Sequence, residues 1–522
     1  MSNNKSTCIL LKLCLASLLL ASVLSISLVA VAAEDSQTAI YLQGSEVAGY
    51  WDPSDGYSGE IALMQNLYDT LLYYDAAESK ISPRLATGCE SSQDGKTWTF
   101  KLREGVKFHT GNMMDADAVK ASIERTMARD KGGAFIWSSV DSIEVVDDYT
   151  VRFHLKNQAP LNLIATASYA AYIFDPAFSD HDWFIAGNDS GTGPYTVETS
   201  EGSEKVIVKK FDEYWGGWEG PHFDHVAFLT VSEASTRRLM METGKADFCE
   251  SLPPTDIDVL KSNPTLKVEI NPSFINLVAL YNTQKAPLDD PLVRRALSYL
   301  IPYEDTVKVS LGGYGQVSRG VVPHGLWGHS DRVETFAYSP TTAKALLAQA
   351  GYPDGGFTLV LTYPSGYDDI RTTVELWKSA CAEVNITLDA RAMPTSERNA
   401  IARSPDKAKR QDIYLLFWWP DYSNPDSYLG AMFRSQEKPS YGLAYYSNPV
   451  FDGLYDYAVT LPAASQEATD MMVELQNILQ RDAPGLAIWD MPSRRVLSVS
   501  LKGYVDNAAY ANVVFWYDCY RE

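Results

Sequence analysis

The nine residues WWPDYSNPD, Trp418 to Asp426, place two indoles, a phenol and two carboxylates on one turn-rich stretch. A carboxylate set among aromatic rings suits the capture of a cation. The rings exclude water, which strengthens an ion pair, and their faces add cation–π attraction. Asp421, Trp418, Trp419 and Tyr422 are the candidate ligand-binding residues here. The plainer use of the same residues is structural, with Asp421 capping the turn ahead of Pro425 and one tryptophan belonging to the core.

Other chemistry finds less support. His222 and His225 in GPHFDHV have the HxxH spacing of some metal sites, but they precede a strand pattern and have no paired Cys/His partner; a solvated turn accounts for them. His324 and His329 flank Trp327 in the Gly-rich VPHGLWGHS, which leaves nickel as a minor option. The GKT at Gly95 is no phosphate loop, because the position five residues earlier is Glu90 where that motif requires Gly. No GxSxG elbow or HExxH occurs, and carboxylates are too numerous to single out a catalytic pair. No catalytic residue, metal ligand or cofactor is assigned.

The chain has 522 residues, too many for one hydrophobic core, so two or three domains are expected. Lys5 and Lys12 are the only charges before Glu34, and Leu13 to Ala33 is apolar or small throughout. Residues 1–33 read as a cleaved export signal, with an uncleaved anchor as the alternative. No lipoprotein cysteine motif is present. Without those residues 42 basic side chains face 66 acidic ones, a formal charge of −24, which argues against a nucleic-acid partner. Cys89, Cys249, Cys381 and Cys519 remain, too scattered for a disulfide scaffold, although one or two bridges fit an extracytoplasmic compartment. Their spacing does not say which would pair.

Two rhythms must position the candidate residues. SSQDGKTWTFKLREGVKF carries an Asp-Gly turn and then strict alternation, Trp98, Phe100 and Leu102 against Thr97, Thr99, Lys101 and Arg103. That predicts a half-buried strand. In the second half, Ser339 caps a helix that Pro340 opens and Gly351 stops, and a strand follows from Phe357 to Tyr363. DDIRTTVELWKSACAEVNITLDARAM repeats helix then strand, and Ile413 to Phe417 is a further buried strand. The unit is α/β with parallel strands, and in such sheets ligands sit beyond the carboxyl ends, where Trp418 to Asp426 emerges.

Seven segments, NLYDTLLYYD, DGKTWTFKLREGVKFHTG, GTGPYTV with EYWGG, LVALYNTQKAPLDDPLVRRALSYLI, AKALLAQAGYPDGGFTL, YYSNPVFDGLYD and LQNILQRDAPGLAIWD, resemble, in order, the blocks of solute-binding protein family 5. Its members are the extracytoplasmic peptide- and nickel-binding receptors of ATP-binding-cassette importers. The resemblance implies a two-lobed periplasmic-binding-protein-like α/β fold, lobe I enlarged by an extra subdomain, with two hinge crossings. Carried over, lobe I is about 34–277 plus 491–522 and lobe II about 278–490, with crossings near Leu277–Asn282 and Ala487–Asp490. The implied role is capture of a ligand, an oligopeptide first, for membrane permease subunits, by a monomer.

In peptide-binding members the loop matching WWPDYSNPD holds an aspartate that receives the ligand's amino group, and Asp421 stands there. Tyr57, Ser58 and Gly59 match the segment that pairs with an extended peptide; an ordinary loop is the alternative. One departure matters. Dipeptide-binding relatives hold the ligand's carboxylate with an arginine in the loop after the strand Phe357–Tyr363, and here Pro364 to Asp368 has no basic residue before Arg371. That argues against a tight dipeptide clamp, so longer peptides, oligosaccharides and sugar-bearing opine-like compounds stay open as ligands, and a secreted hydrolase is the rival of another class.

Overall fold

The computed structural model describes residues 37–44, 50–56, 59–75, 78, 80–510 and 512–522. The expected export signal lies outside them. Two long antiparallel strands, Leu266–Tyr281 and Gly485–Ser498, form the spine of an eleven-stranded mixed sheet. Their ladder is interrupted between Pro272 and Asn276, so the ribbon changes register midway. The expected crossings fall within these two strands.

On one side of that interruption Leu266–Tyr281 pairs with Ile413–Trp418, which is followed in the sheet by Thr358–Pro364 and then Thr387–Met393. The last three strands are parallel, as their helix–strand repeat predicts. Helix Pro340–Gln349 starts at Ser339, whose hydroxyl accepts from the Thr342 N–H, and buries Ala343 and Leu347. Helix Asp368–Ala382 buries Ile370, Val374 and Trp377 against the sheet.

On the other side Gly485–Ser498 pairs with Phe248–Cys249, and the sheet continues through Thr38–Gln43, His225–Thr230, Lys205–Lys210 and Tyr195–Glu201. Thr38–Gln43 is buried at every position, fitting a strand covered on both faces.

A separate four-stranded antiparallel sheet, Ala86–Ser91, Thr97–Leu102, Thr150–Leu155 and Val140–Asp147, is backed by helix Ala116–Arg129. Phe100 and Leu102 are buried while Lys101 is exposed, as the alternation requires. Gly95, at a positive φ of 65°, closes the hairpin from Ala86–Ser91. The core of this sheet is continuous with the one beneath helix Asp426–Phe433, and Phe100, Phe153, Trp418 and Met432 belong to the same apolar cluster. All four cysteines after residue 36 are free thiols, so no disulfide forms among the described residues.

Candidate ligand site

The strand Ile413–Trp418 ends where Pro420 removes a ladder donor and the run Ser423-Asn424-Pro425 turns the chain. The Asn424 side chain accepts from the Asp426 N–H at 3.2 Å, and helix Asp426–Phe433 starts there. The turn-capping role thus falls to Asn424, and the Asp421 carboxylate is left for other partners.

Asp421 is only 2% exposed. Its carboxylate accepts hydrogen bonds from the Ser427 hydroxyl at 2.6 Å and from the Tyr169 hydroxyl, 252 residues away. Both donors are neutral, and among the described residues no cation forms an ion pair with it. Burial pushes its pKa up to about 6. Asp426 accepts from the Tyr422 hydroxyl at 3.0 Å, while its other oxygen is buried with no hydrogen-bond partner. Burial pushes Asp426 up to about 7.

These two carboxylates, with Tyr422, Tyr441 and Tyr455, line a cavity of about 790 Å³. Its opposite wall comes from the four-stranded sheet's neighbourhood, Phe135, Gln158 and Pro160 among them. Contacts close over the gap: the Gln158 amide donates to the Thr460 carbonyl at 2.9 Å, and the Phe135 and Tyr441 rings lie 5.9 Å apart.

Trp418 is core, 2% exposed and packed edge-on against Tyr441 at 5.1 Å. Trp419 and Tyr422 are half-buried at the margin of the same cluster. Tyr57 and Ser58 lie outside the described residues. Gly59 is half-buried in the turn before helix Ile61–Leu67.

The segment leading to Gly59 is held firmly. Arg125 makes two hydrogen bonds to the Asp52 carboxylate, at 2.7 and 2.8 Å, Arg129 pairs with Asp55, and His181 Nδ1 lies 2.9 Å from Asp52. Asp52, Asp55 and His181 have a spacing that could ligate a metal. Two guanidinium groups already balance the two carboxylates, so the cluster works as a clamp.

Further away, His109 is fully engaged. Its Nδ1 meets Asp189 and its Nε2 lies 2.8 Å from the Gly193 carbonyl, so both ring nitrogens donate. His222, expected in a solvated turn, instead places one ring nitrogen 2.8 Å from the Tyr517 carbonyl and stacks on that ring. His225, expected in the same turn ahead of a strand, is instead the strand's first residue.

The comparisons decide the family. Residues 80–440 match the bacterial extracellular solute-binding proteins, family 5, middle region. The glutathione-binding protein GsiB of Salmonella typhi is 31% identical over 468 residues, 88% of this chain and 89% of its own length. The chain is a family 5 solute-binding protein. The Escherichia coli O1:K1 glutathione-binding protein GsiB is 29% identical over 447 residues, 84% of this chain and 85% of its own. Among solved structures, the periplasmic binding protein DppA of Helicobacter pylori, in complex with the peptide STSA, superposes with a TM-score of 0.82 at 25% identity, covering 93% of this chain and 98% of that one. AgaA of A. tumefacien R10, in complex with agropinic acid, gives 0.81 at 23% identity, covering 93% and 99%, a likeness of fold.

The fold is therefore the mixed α/β periplasmic-binding-protein fold. Family 5 members are receptors of ATP-binding-cassette importers and not enzymes, which removes the hydrolase reading. Among the described residues no helix is long and apolar enough to cross a membrane. Of the sequence candidates, Asp421 and Tyr422 line the cavity; sequence reasoning did not single out Asp426 on the same wall or Tyr169, the partner of Asp421. The second Asp of the NPD run was visible beside the first. Tyr169 carries no local signal, because only the folded chain brings it to Asp421.

Proposed function

We propose that this receptor captures a short peptide with a free amino terminus between two closing lobes, about 34–277 plus 491–522 and about 278–490, and presents it to membrane permease subunits. The observation that carries the reading is the Asp421 carboxylate, buried with two neutral hydroxyl partners and no cation among the described residues. A ligand ammonium would supply the missing charge. The neighbouring Asp426 adds negative potential, and Trp419 and Tyr422 help to exclude water. Relatives named for glutathione binding and a structural neighbour holding the peptide STSA support a peptide-like ligand. Tyr57, Ser58 and Gly59 are proposed to meet the extended ligand from the opposite lobe, on a loop whose approach the Arg125 and Arg129 pairs hold in place.

The Tyr169 hydroxyl joins Asp421 across the proposed lobes, so ligand capture and closure share one group. Native mass spectrometry of freshly purified protein identifies a retained ligand, and small-angle scattering with that ligand reads the closure. A co-purified peptide and a fall in scattering radius are expected. A ligand without an amine, or tight binding with no compaction, overturns the reading.

A further inference from the structure

The loop after Thr358–Pro364 lacks a basic residue, yet the buried guanidinium of Arg494 has no acceptor for its Nε or Nη1 among the described residues. Gly485–Ser498 carries Arg494 and Arg495 side by side, and consecutive strand residues point to opposite faces. Arg495 is well engaged: it donates to the Glu250 carbonyl at 2.7 Å and to Asn512 at 2.9 Å, with Asp506 at 3.5 Å. Arg494 is 6% exposed, and its Nε and Nη1 are buried with no hydrogen-bond partner. It forms no ion pair among the described residues.

Register places this group with the candidate site. Asn276 pairs with Trp418 on one side and with Asp490 on the other. Ile413–Trp418 and Gly485–Ser498 both run antiparallel to Leu266–Tyr281, so they pass that level in the same direction. Thr358–Pro364 runs parallel to Ile413–Trp418. Asp421, three residues past Trp418, and Tyr367, three past Pro364, therefore leave the sheet by one end, and Arg494, four past Asp490 in the same direction, is still within its strand and paired with Ile270. The Tyr367 ring packs edge-on against Phe417 at 5.3 Å, which ties that loop to the end of strand Ile413–Trp418.

We infer that Arg494 is the receiver of the ligand's carboxylate, doing from the spine of the sheet what no residue of the loop 364–368 can do. This rests on the peptide reading above and specifies the ligand further: a peptide with a free carboxyl terminus as well as a free amine. The chemistry fits, because a guanidinium offers paired donors that match a carboxylate. Asp369 is the charge that most offsets Arg494, but it makes no ion pair with it. Burial lowers the Arg494 pKa, the mark of a cation desolvated without a full partner.

The test uses a library of tri- to pentapeptides as free acids and its carboxamidated counterpart, screened by native mass spectrometry and followed by calorimetry on the tightest binder. On the parent protein the carboxamide is expected to bind about 30-fold more weakly or worse. In Arg494→Met the free acid should lose a similar factor, and amidation should then add little. Arg494→Lys should recover part of the affinity. In the absence of ligand, Arg494→Met should keep or raise the melting temperature, since it removes an unpaired buried charge.

Equal binding of acid and amide by the parent overturns the inference while leaving the peptide reading in place. That arm needs no variant, so a poorly folding Arg494→Met cannot hide the answer. If neither library binds, the peptide reading falls and this inference with it.

Discussion

Two buried acidic groups in this protein differ in what surrounds them. Asp189 meets an imidazolium and accepts from the Val197 N–H at 2.8 Å and the Thr196 hydroxyl at 3.0 Å, while His109 spends its second nitrogen on the Gly193 carbonyl. Asp421 and Asp426 are buried to a similar degree, but among the described residues their side-chain donors are hydroxyls and no cation pairs with them. The first pair is complete within the chain. The second has no counter-charge among the described residues, and the peptide reading proposed above assigns that charge to the ligand. Charge satisfaction, more than burial, separates scaffold from recognition.

The largest way to break this contrast is to remove one member of the satisfied pair. Asp189→Asn leaves a buried imidazolium without its counter-charge and should destabilise the fold by about 3–5 kcal/mol. A calorimetric scan without ligand checks it. Asp421→Asn in the same scan should leave the melting temperature unchanged or higher, because it removes a strained carboxylate. If the two variants melt alike, the contrast fails.

Binding reverses the order. Asp421→Asn should weaken a peptide with a free amine by about a hundredfold or more, whereas acetylating the amine should hurt the parent and add little further loss in the variant. Titration calorimetry with the co-purified ligand reads both. Truncating Trp419 as Trp419→Ala should cost less, since a half-buried ring contributes drying and cation–π attraction. A dominant Trp419 effect with no role for Asp421 would favour a sugar ligand.

The pH dependence sharpens the comparison because the signs differ. Asp421 and Asp426 have folded pKa values raised above 3.8 by burial, to about 6 and about 7. The unliganded fold holds those protons more tightly than the unfolded chain, so their contribution to stability falls as pH rises from about 4 to above 7. Affinity for an ammonium should rise over the upper part of that range, as the carboxylates ionise. His109 is raised above 6.5 by its acidic partners, against the opposing effect of burial. Its contribution is full below 6.5 and lost as pH climbs through the folded value. Asp189 is held below 3.8 by His109 and its hydrogen bonds, despite burial, so its contribution persists above 3.8 and is lost on acidification through the folded value. Melting curves of the parent and of Asp421→Asn across pH 4 to 8 separate the two; a pH profile unchanged by the substitution would remove Asp421 as a titrating group.

The smallest expected effect belongs to Tyr169→Phe. It deletes the distant hydroxyl on Asp421 and should cost about 0.5–1.5 kcal/mol, read as a modest loss of affinity with reduced compaction in scattering.

Much of this was legible in the residue order. Alternation in TWTFKL gave a half-buried strand, Ser339-Pro340 and Gly351 bracketed a helix, and WWPDY marked the end of a buried strand. These are local signals, fixed by side-chain periodicity, caps and turn chemistry within a few residues. The partners of the site are not local. Tyr169 reaches Asp421 from 252 residues away, and His109 reaches Asp189 from 80. Sequence determined that Asp421 would stand at the carboxyl end of a strand; the tertiary structure decided that it would be buried without a cation. The same holds for the two adjacent arginines. Strand alternation sends them to opposite faces, but only the packed chain supplies acceptors to Arg495 and, among the described residues, none to Nε and Nη1 of Arg494, because hydrogen-bond partners come from whichever distant segments the fold brings close.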